Sequence, residues 1–429
     1  MSEGTGVAIV GGGITGLSLG HHLARAGVPH VVLEATGRAG GVIRSARVEG
    51  HLLEWGPQRT RLTAAMQQLV AELGLGPRVL TAPAGLPLFV YRAGKLRKVP
   101  FSLGEFLGSD IVPFRAKLRA ALEPLKAAAR DEESVAEYFT RKLGRDLYEN
   151  VAGPLYGGLY ASDPADMVVG LSLGRVLKEF GVDRSLLIPL LRRGGAIDPP
   201  AACSFAEGME TLPRALQRAN ERNVILDAPV RALYRDRGIW RLETDAGAVE
   251  AERVVLTTPA AATARLVAEE APAAAASIAR LVYNPLAVVH LHAETTLRGL
   301  GYQVSLAERL ATRGVTFNDS LFGRHGVYTA YLGGSRAPEV VDWRDEEIGT
   351  VAVREFQQVT GFAARPLSIA REAMPAWDAS WAALTDLALP AGLRIAANWE
   401  SRPGLPGRLA QAKRLASTYA DELGRSPSF

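Results

Sequence analysis

Val7-Ala8-Ile9-Val10-Gly11-Gly12-Gly13-Ile14-Thr15-Gly16 begins as an apolar run and passes directly into glycines. The run reads as a buried strand. A helical pattern follows over 14–26, closed by Gly27 with Pro29 just beyond, which is how helices commonly stop. Val31-Val32-Leu33 is a second buried strand, and Glu34 stands at its end, 18 residues after Gly16. The glycines of Gly11-x-Gly13-x-x-Gly16 permit a tight turn and let backbone approach a pyrophosphate. The helix N-terminus behind them offers free N–H groups and the positive end of its dipole. A carboxylate at position 34 accepts hydrogen bonds from a ribose diol. Glycines alone are weak evidence, but together with the strand, the helix and the acid they indicate a dinucleotide site.

Outward from this unit, Arg38-Ala39-Gly40-Gly41-Val42-Ile43-Arg44-Ser45 places a second glycine pair just after Glu34, and Glu54-Trp55-Gly56-Pro57 follows. A second loop near the pyrophosphate suits a cofactor that continues through a ribityl chain to a flavin. Helical periodicity returns at 63–73, and 89–99 looks like a hairpin. Residues 102–190 read as mostly helical, interrupted by the glycine-rich stretch 153–158. Strand patterns stand at 223–227, 240–244, 249–257, 286–292, 327–332 and 393–397, with a helix from about 405. Nucleotide-type β/α segments therefore lie at both ends and in the middle, with a helical block and a strand-rich block between them.

Composition narrows the class. The 429 residues are 48% hydrophobic and 22% charged, which excludes disordered and fibrous chains. A net charge of +4 from 49 basic and 45 acidic residues is too small to imply a nucleic-acid partner. Cys203 is the single cysteine, so no intramolecular disulfide forms and a reducing compartment is expected. Glu3 and the lack of a basic leader argue against export. The uncharged stretch 4–24 is too rich in glycine for a membrane span. A cytoplasmic location is expected. The segment 101–129 mixes apolar residues with lysine and arginine, so peripheral membrane contact stays open beside a solvated helix over a core.

The motifs resemble the flavin-dependent amine oxidase superfamily and, within it, the protoporphyrinogen oxidase branch. The Gly11–Gly16 pattern is common to the superfamily. Gly153-Pro154-Leu155-Tyr156-Gly157-Gly158-Leu159-Tyr160-Ala161-Ser162-Asp163-Pro164 is the most branch-specific match, and Phe205-Ala206-Glu207-Gly208 through Pro213 is similar to another family segment. The resemblance implies an α/β protein: a Rossmann-type FAD-binding domain interleaved with a mixed-sheet substrate domain and an inserted helical domain. The FAD domain would comprise 1–85, 201–285 and 386–429. The substrate hairpin and helical domain would occupy 86–200, and the substrate domain 286–385. Implied contacts to non-covalent FAD are Gly11, Gly12, Gly13, Ile14, Thr15, Gly16, Glu34 and Ala35 in the first unit. The second loop adds Gly40, Gly41 and Val42, and the third Gly56, Pro57 and Gln58. Val230 would meet the adenine, and Asn398, Pro403, Gly404 and Leu405 the flavin end. Gly158, Val304 and Tyr331 are the implied substrate contacts.

The implied reaction is oxidation of protoporphyrinogen IX or coproporphyrinogen III in haem synthesis, with dioxygen as acceptor. It is centred on the flavin and demands no catalytic acid or base. An amine oxidase, a polyene desaturase or a low-turnover flavin and porphyrin carrier remain as alternatives, and a homodimer stays open. Two departures from the family pattern matter. Leu88 stands where the family usually has a substrate-binding arginine, and 374–407 is rewritten. There is no lysine between Lys178 and Lys413, whereas amine oxidases of the superfamily typically place one near the flavin. No cysteine lies near Asn398 for covalent attachment. His290 and His292 share one strand face, but nothing completes a ligand set, so no metal is expected. Cys203 reads as an apolar filler. Trp377, Trp381 and Trp399 suit either packing or stacking on a flat ligand. Arg59 and Arg61 suit either the substrate or a surface ion pair.

Overall fold

The computed structural model describes residues 5–192, 194, 199–401 and 404–423. Thr5–Val10 buries every side chain from Gly6 onward, as a central strand covered on both faces must. It pairs in parallel with His30–Leu33 on one side and Gly247–Leu256 on the other. Val224–Ile225 and Leu393–Ile395 extend the parallel part, while Ile239–Thr244 and Val230–Asp236 add an antiparallel edge. The helices Ile14–Arg25 and Leu405–Glu422 pack side by side against this sheet through Leu19, Leu23, Ala412, Ala416 and Tyr419. This is the nucleotide-binding architecture that the first 34 residues imply. The strand expected at 223–227 is shorter, because Asp227 turns the chain with φ 51°.

A second seven-stranded sheet runs in the order Arg365–Pro375, Tyr283–His292, Val327–Gly333, Thr312–Phe317, Gly301–Val304, Leu88–Arg92 and Lys95–Lys98. All neighbours are antiparallel except Gly301–Val304 with Leu88–Arg92. Side chains alternate between its faces. Val289, Leu291, Tyr302, Val304, Phe317 and Ala330 form a core with Ile348, Ala352 and Phe356 of the helix Asp345–Thr360. The other face carries Leu88, Gln303, Thr329, Tyr331, Val288 and Leu286.

The helical block runs through Leu103–Gly108, Phe114–Ala121 and Val135–Leu143, the last of which Ser134 and Glu137 start with a reciprocal capping box. The glycines at 153–157 are themselves helical, and the helix ends at Gly158, with no further helix before Leu173 among the described residues. A π-turn over Tyr148–Ala152 leads straight into the helix Gly153–Gly157. Those glycines serve close packing. A Cβ on Gly153 would lie 2.8 Å from the Tyr148 carbonyl oxygen, and one on Gly157 would overlap that of Ser162. Glu123 and Lys142 form a fully buried ion pair at 2.5 Å, and Glu123 also accepts from the Ser185 hydroxyl and the Leu186 N–H. Trp381 and Trp399 are buried in the main core, donating to the carbonyls of Trp399 and Thr258, so packing is their role. Cys203 is buried in a strand, and burial pushes its thiol up to about 11.

Candidate active site

Three loops meet at the end of the first strand. Gly11 adopts φ 108°, and a Cβ there would lie 2.6 Å from Thr257 Oγ1. A Cβ on Gly16 would overlap the Gly11 carbonyl oxygen, so both glycines are needed for strand and helix to approach. The Gly12 N–H donates to Glu34 Oε2 at 2.7 Å, and the Thr36 N–H and hydroxyl donate to Oε1. Gly13 caps the helix with φ −71° and ψ 178° and no side-chain cap. A Cβ built on it meets nothing within 4 Å. Open space thus lies directly before the first-turn N–H groups of Thr15 and Gly16.

The second loop closes against the first. The Gly40 N–H donates to the Gly12 carbonyl at 2.8 Å, and Gly41 has φ 58° beside Gly13. Arg38 holds the loop through the carbonyls of Ala39, Gly41 and Ile43. Val42 is left 66% exposed, and Ala35 is exposed as well. Gly56 packs against the Val42 carbonyl. Val230 is linked to this rim through Ala228, whose N–H donates to the Glu34 carbonyl. Gly404 caps the helix Leu405–Glu422 with φ 96° and no side-chain cap, and Asn398 is exposed in the turn before it. Pro403 lies outside the described residues. Two bare helix N-termini and a cradle that a Cβ would fill fit the pyrophosphate and the flavin carbonyl end of FAD.

The loop 56–58 is bolted to the second sheet. Gln58 Nε2 donates to the carbonyls of Glu54 and Gly56, and its Oε1 accepts from Asn318 Nδ2 and the Thr329 hydroxyl. Its carboxamide is therefore committed to protein, and only its backbone is left to touch a cofactor. Glu54 is buried and accepts from Ser45, the Met209 N–H and Arg324 Nη2, the last at 2.8 Å. Burial raises its carboxyl above the ordinary range, against the pull of Arg324. His290, also buried, donates its Nε2–H to the Glu54 carbonyl, and burial lowers its pKa.

The inner face of the second sheet packs against the helical wall ending at Ala161. Leu286 and Val288 pack on Ala161, with Tyr331 and Met374 against them. Gly158 is exposed, and a Cβ there would lie 2.7 Å from Gln303 Oε1. Arg59 and Tyr331 are surrounded by protein and interact with one another, yet both retain accessible surface, as walls of a cleft do. Burial lowers the pKa of Arg59 and raises those of Tyr331 and Glu372.

The model of the flavin-containing amine oxidoreductases matches residues 14–385. The chain belongs to that family. It is an FAD-dependent oxidoreductase. Protoporphyrinogen oxidase 1 of Spinacia oleracea chloroplasts is 27% identical over 394 residues, covering 82% of this chain and 70% of the relative. The protoporphyrinogen oxidase of Homo sapiens is 28% identical over 355 residues, 74% of each chain. Among solved structures, a protein from Exiguobacterium sp. 255-15 provisionally named a protoporphyrinogen oxidase superposes with a TM-score of 0.79 at 22% identity, covering 98% of this chain and 99% of its own. Putrescine oxidase shares the fold with a TM-score of 0.74 at 18% identity, over 99% and 100% of the two chains.

Within this oxidoreductase the expected substrate residues separate. Gly158 and Tyr331 lie on the cleft. Val304 does not: it points to the opposite face of its strand, into the core beneath Asp345–Thr360. Gln303, one residue earlier, faces the cleft instead. The alternation Tyr302-Gln303-Val304 carries that signal, since its one polar residue belongs on the face that is not core. Leu88 shares the cleft face and packs beside Val90, Ile111 and Val112. The network of Glu54, Arg324, His290 and Asn318 had no local signature, because its members come from segments hundreds of residues apart. His21, His22 and Glu72 also come together, but Arg25 pairs with Glu72 and Lys413 lies nearby, which makes this an ion-pair cluster.

Proposed function

We propose that this protein oxidises a porphyrinogen to the porphyrin, with dioxygen as the final acceptor. Bound FAD supplies the two-electron acceptor; the chain has to hold a flat, largely apolar ring against it and keep water out. The observation that carries this reading is the cleft face itself. Leu286, Val288, Met374, Tyr331 and Ala161 make an apolar wall, and none of the seven lysines lies on it. Glu372 projects from the same face, paired across the sheet with Leu286. Burial raises the pKa of its carboxyl, the effect of an apolar surrounding. The relatives named protoporphyrinogen oxidase support the same substrate class. The test is to mix purified protein with protoporphyrinogen IX or coproporphyrinogen III under air. Fluorescent porphyrin and peroxide are expected. No porphyrin from either, with peroxide from a polyamine or an aromatic amine, refutes the proposal.

Peripheral contact with an anionic membrane is part of the same reading. Among the described residues no helix is long and apolar enough to cross a membrane. The helix Phe114–Ala121 nevertheless exposes Phe114 at 71% and Leu118 at 56%, continued by Leu122 at 52%. Spacing of four puts the three on one face, and Arg115, Lys117 and Arg119 stand between them. An apolar row flanked by cations suits insertion at an anionic interface.

A further inference from the structure

The loop 54–58 is held from the second sheet by several side chains, and one of them is charged. The short helix Asn318–Phe322 reaches the loop from both ends. At its start Asn318 donates to Gln58. Beyond its end Gly323 turns the chain with φ 64°, and Arg324 Nη2 donates to Glu54 Oε1 at 2.8 Å and to the Ser204 hydroxyl at 2.9 Å. Thr329 and His290 add contacts at Gln58 Oε1 and the Glu54 carbonyl. On its far side the Glu54 carboxylate accepts from the Ser45 hydroxyl and the Met209 N–H. The Ser45 N–H donates to Glu210 Oε2, and Glu210 lies 3.8 Å from Arg38. Arg38 in turn holds the glycine loop through the Gly41 and Ile43 carbonyls. Gly208 is required at this crossing: it has φ 99°, and a Cβ on it would overlap the Ser45 hydroxyl. Contacts therefore run unbroken from Arg324, beside the second sheet, to the loop that closes on Gly12 and Gly13.

The side chain of Arg324 is 5% exposed and that of Glu54 1%. Arg324 uses one arm only: its Nε and Nη1 are buried with no hydrogen-bond partner among the described residues. A buried ion pair with such loose ends adds little stability over apolar side chains of the same volume. What it adds is register, because few other arrangements of the two segments would leave both charges paired. We propose that Arg324 is a positioning residue for the flavin: acting through Glu54, it holds the loops 38–45 and 54–58 against the second sheet and so fixes how bound FAD is set relative to that sheet. The inference does not depend on which substrate is oxidised. Arg324 acts through these loops and not by touching the cofactor.

The test compares the wild type with Arg324→Met, Arg324→Lys and the double variant Glu54→Gln with Arg324→Met. Each apoprotein is melted and titrated with FAD by flavin fluorescence, and the visible circular dichroism of the bound flavin is recorded. Arg324→Met leaves the Glu54 carboxylate buried without its counter-ion and should melt lower. It should also bind FAD roughly tenfold more weakly or worse, because the cofactor must then order the loop, and fixing one backbone residue costs about that factor. The dichroism of its flavin should change with the setting of the ring. The double variant removes both charges, so its melting temperature should return towards that of the wild type while the weak FAD binding and the altered dichroism persist. Arg324→Lys keeps the charge and should recover part of both flavin signals. Wild-type affinity and dichroism in the double variant overturn the proposal, since the pair then serves folding alone. So do wild-type flavin signals in Arg324→Met. Should Arg324→Met fail to fold, the double variant decides by the same criterion. A wild-type apoprotein that binds no FAD overturns the cofactor site instead, so the two failures are distinct.

Discussion

Gly13→Val separates cofactor binding from folding. Gly13 has φ −71° and ψ 178°, a conformation open to any L-residue, and a Cβ there meets no atom of the protein within 4 Å. Valine is a poor helix cap, which costs about 1 kcal/mol, so the apoprotein should melt within a few degrees of the wild type. Its branched side chain would stand in front of the first-turn N–H groups, where the pyrophosphate belongs. Hydrogen bonds to charged groups contribute about 1.5–3 kcal/mol each, so losing two raises the Kd for FAD by roughly 10²- to 10⁴-fold. Gly16→Ala should do the reverse. Its Cβ would overlap the Gly11 carbonyl oxygen, and overpacking against backbone costs about 3 kcal/mol, so it should lower the melting temperature of the apoprotein itself. Fluorescence titration of apoprotein with FAD, beside thermal melts followed by circular dichroism, reads both effects. A Gly13→Val protein that binds FAD with the affinity of the wild type would refute the cradle.

Lys142→Met leaves the Glu123 carboxylate buried without its counter-ion and should cost about 3–5 kcal/mol, seen in urea unfolding, with Glu123→Gln added to Lys142→Met recovering part of the loss. His22 is buried, and burial lowers its pKa to about 4. The unfolded chain, titrating near 6.5, therefore takes up the proton first, so stability is complete above pH 6.5 and falls as pH drops towards 4, by up to ~3 kcal/mol. His22→Phe should flatten that acid limb in urea titrations across pH. Glu372 has the opposite sign: burial raises its pKa above the ordinary 4.5, so its contribution is present below pH 4.5 and is lost as pH rises through the folded value, and Glu372→Gln should remove that slope. Phe114→Glu with Leu118→Glu should cut binding to vesicles containing anionic lipid at least tenfold in a flotation assay, since each buried apolar side chain contributes about 1.5–3 kcal/mol; unchanged flotation would reject this face as the contact.

The nucleotide unit was legible because its determinants are contiguous. A strand, a turn and a helix over 30 residues depend on local backbone freedom, and Gly11 and Gly16 are required there by contacts with Thr257 and with the turn itself. The identity of the cofactor followed from the second loop, which closes on the first through a parallel bridge that includes the hydrogen bond from Gly40 to Gly12. The stretch 153–158 ends a helix, as its glycines suggest, but most of it is helical, because glycine has two uses. Local sequence shows its freedom to bend a chain, whereas close packing against Tyr148 and Ser162 exists only once the helices are assembled.

The residues of the amino-acid sequence, taken alone, determined the β-α-β cradle, the acid at its second strand end and the class of flavoprotein, all of them properties of short segments. Tertiary structure alone decided the cleft. Strand alternation predicts two faces for Gly301–Val304, but its pairing with Leu88–Arg92, some two hundred residues earlier, decided that Gln303 looks onto the cleft and Val304 into the core. The same holds for Arg59. Its charge is written in the sequence, but the lack of an ion pair among the described residues is not, because an arginine's environment is the sum of every segment folded around it.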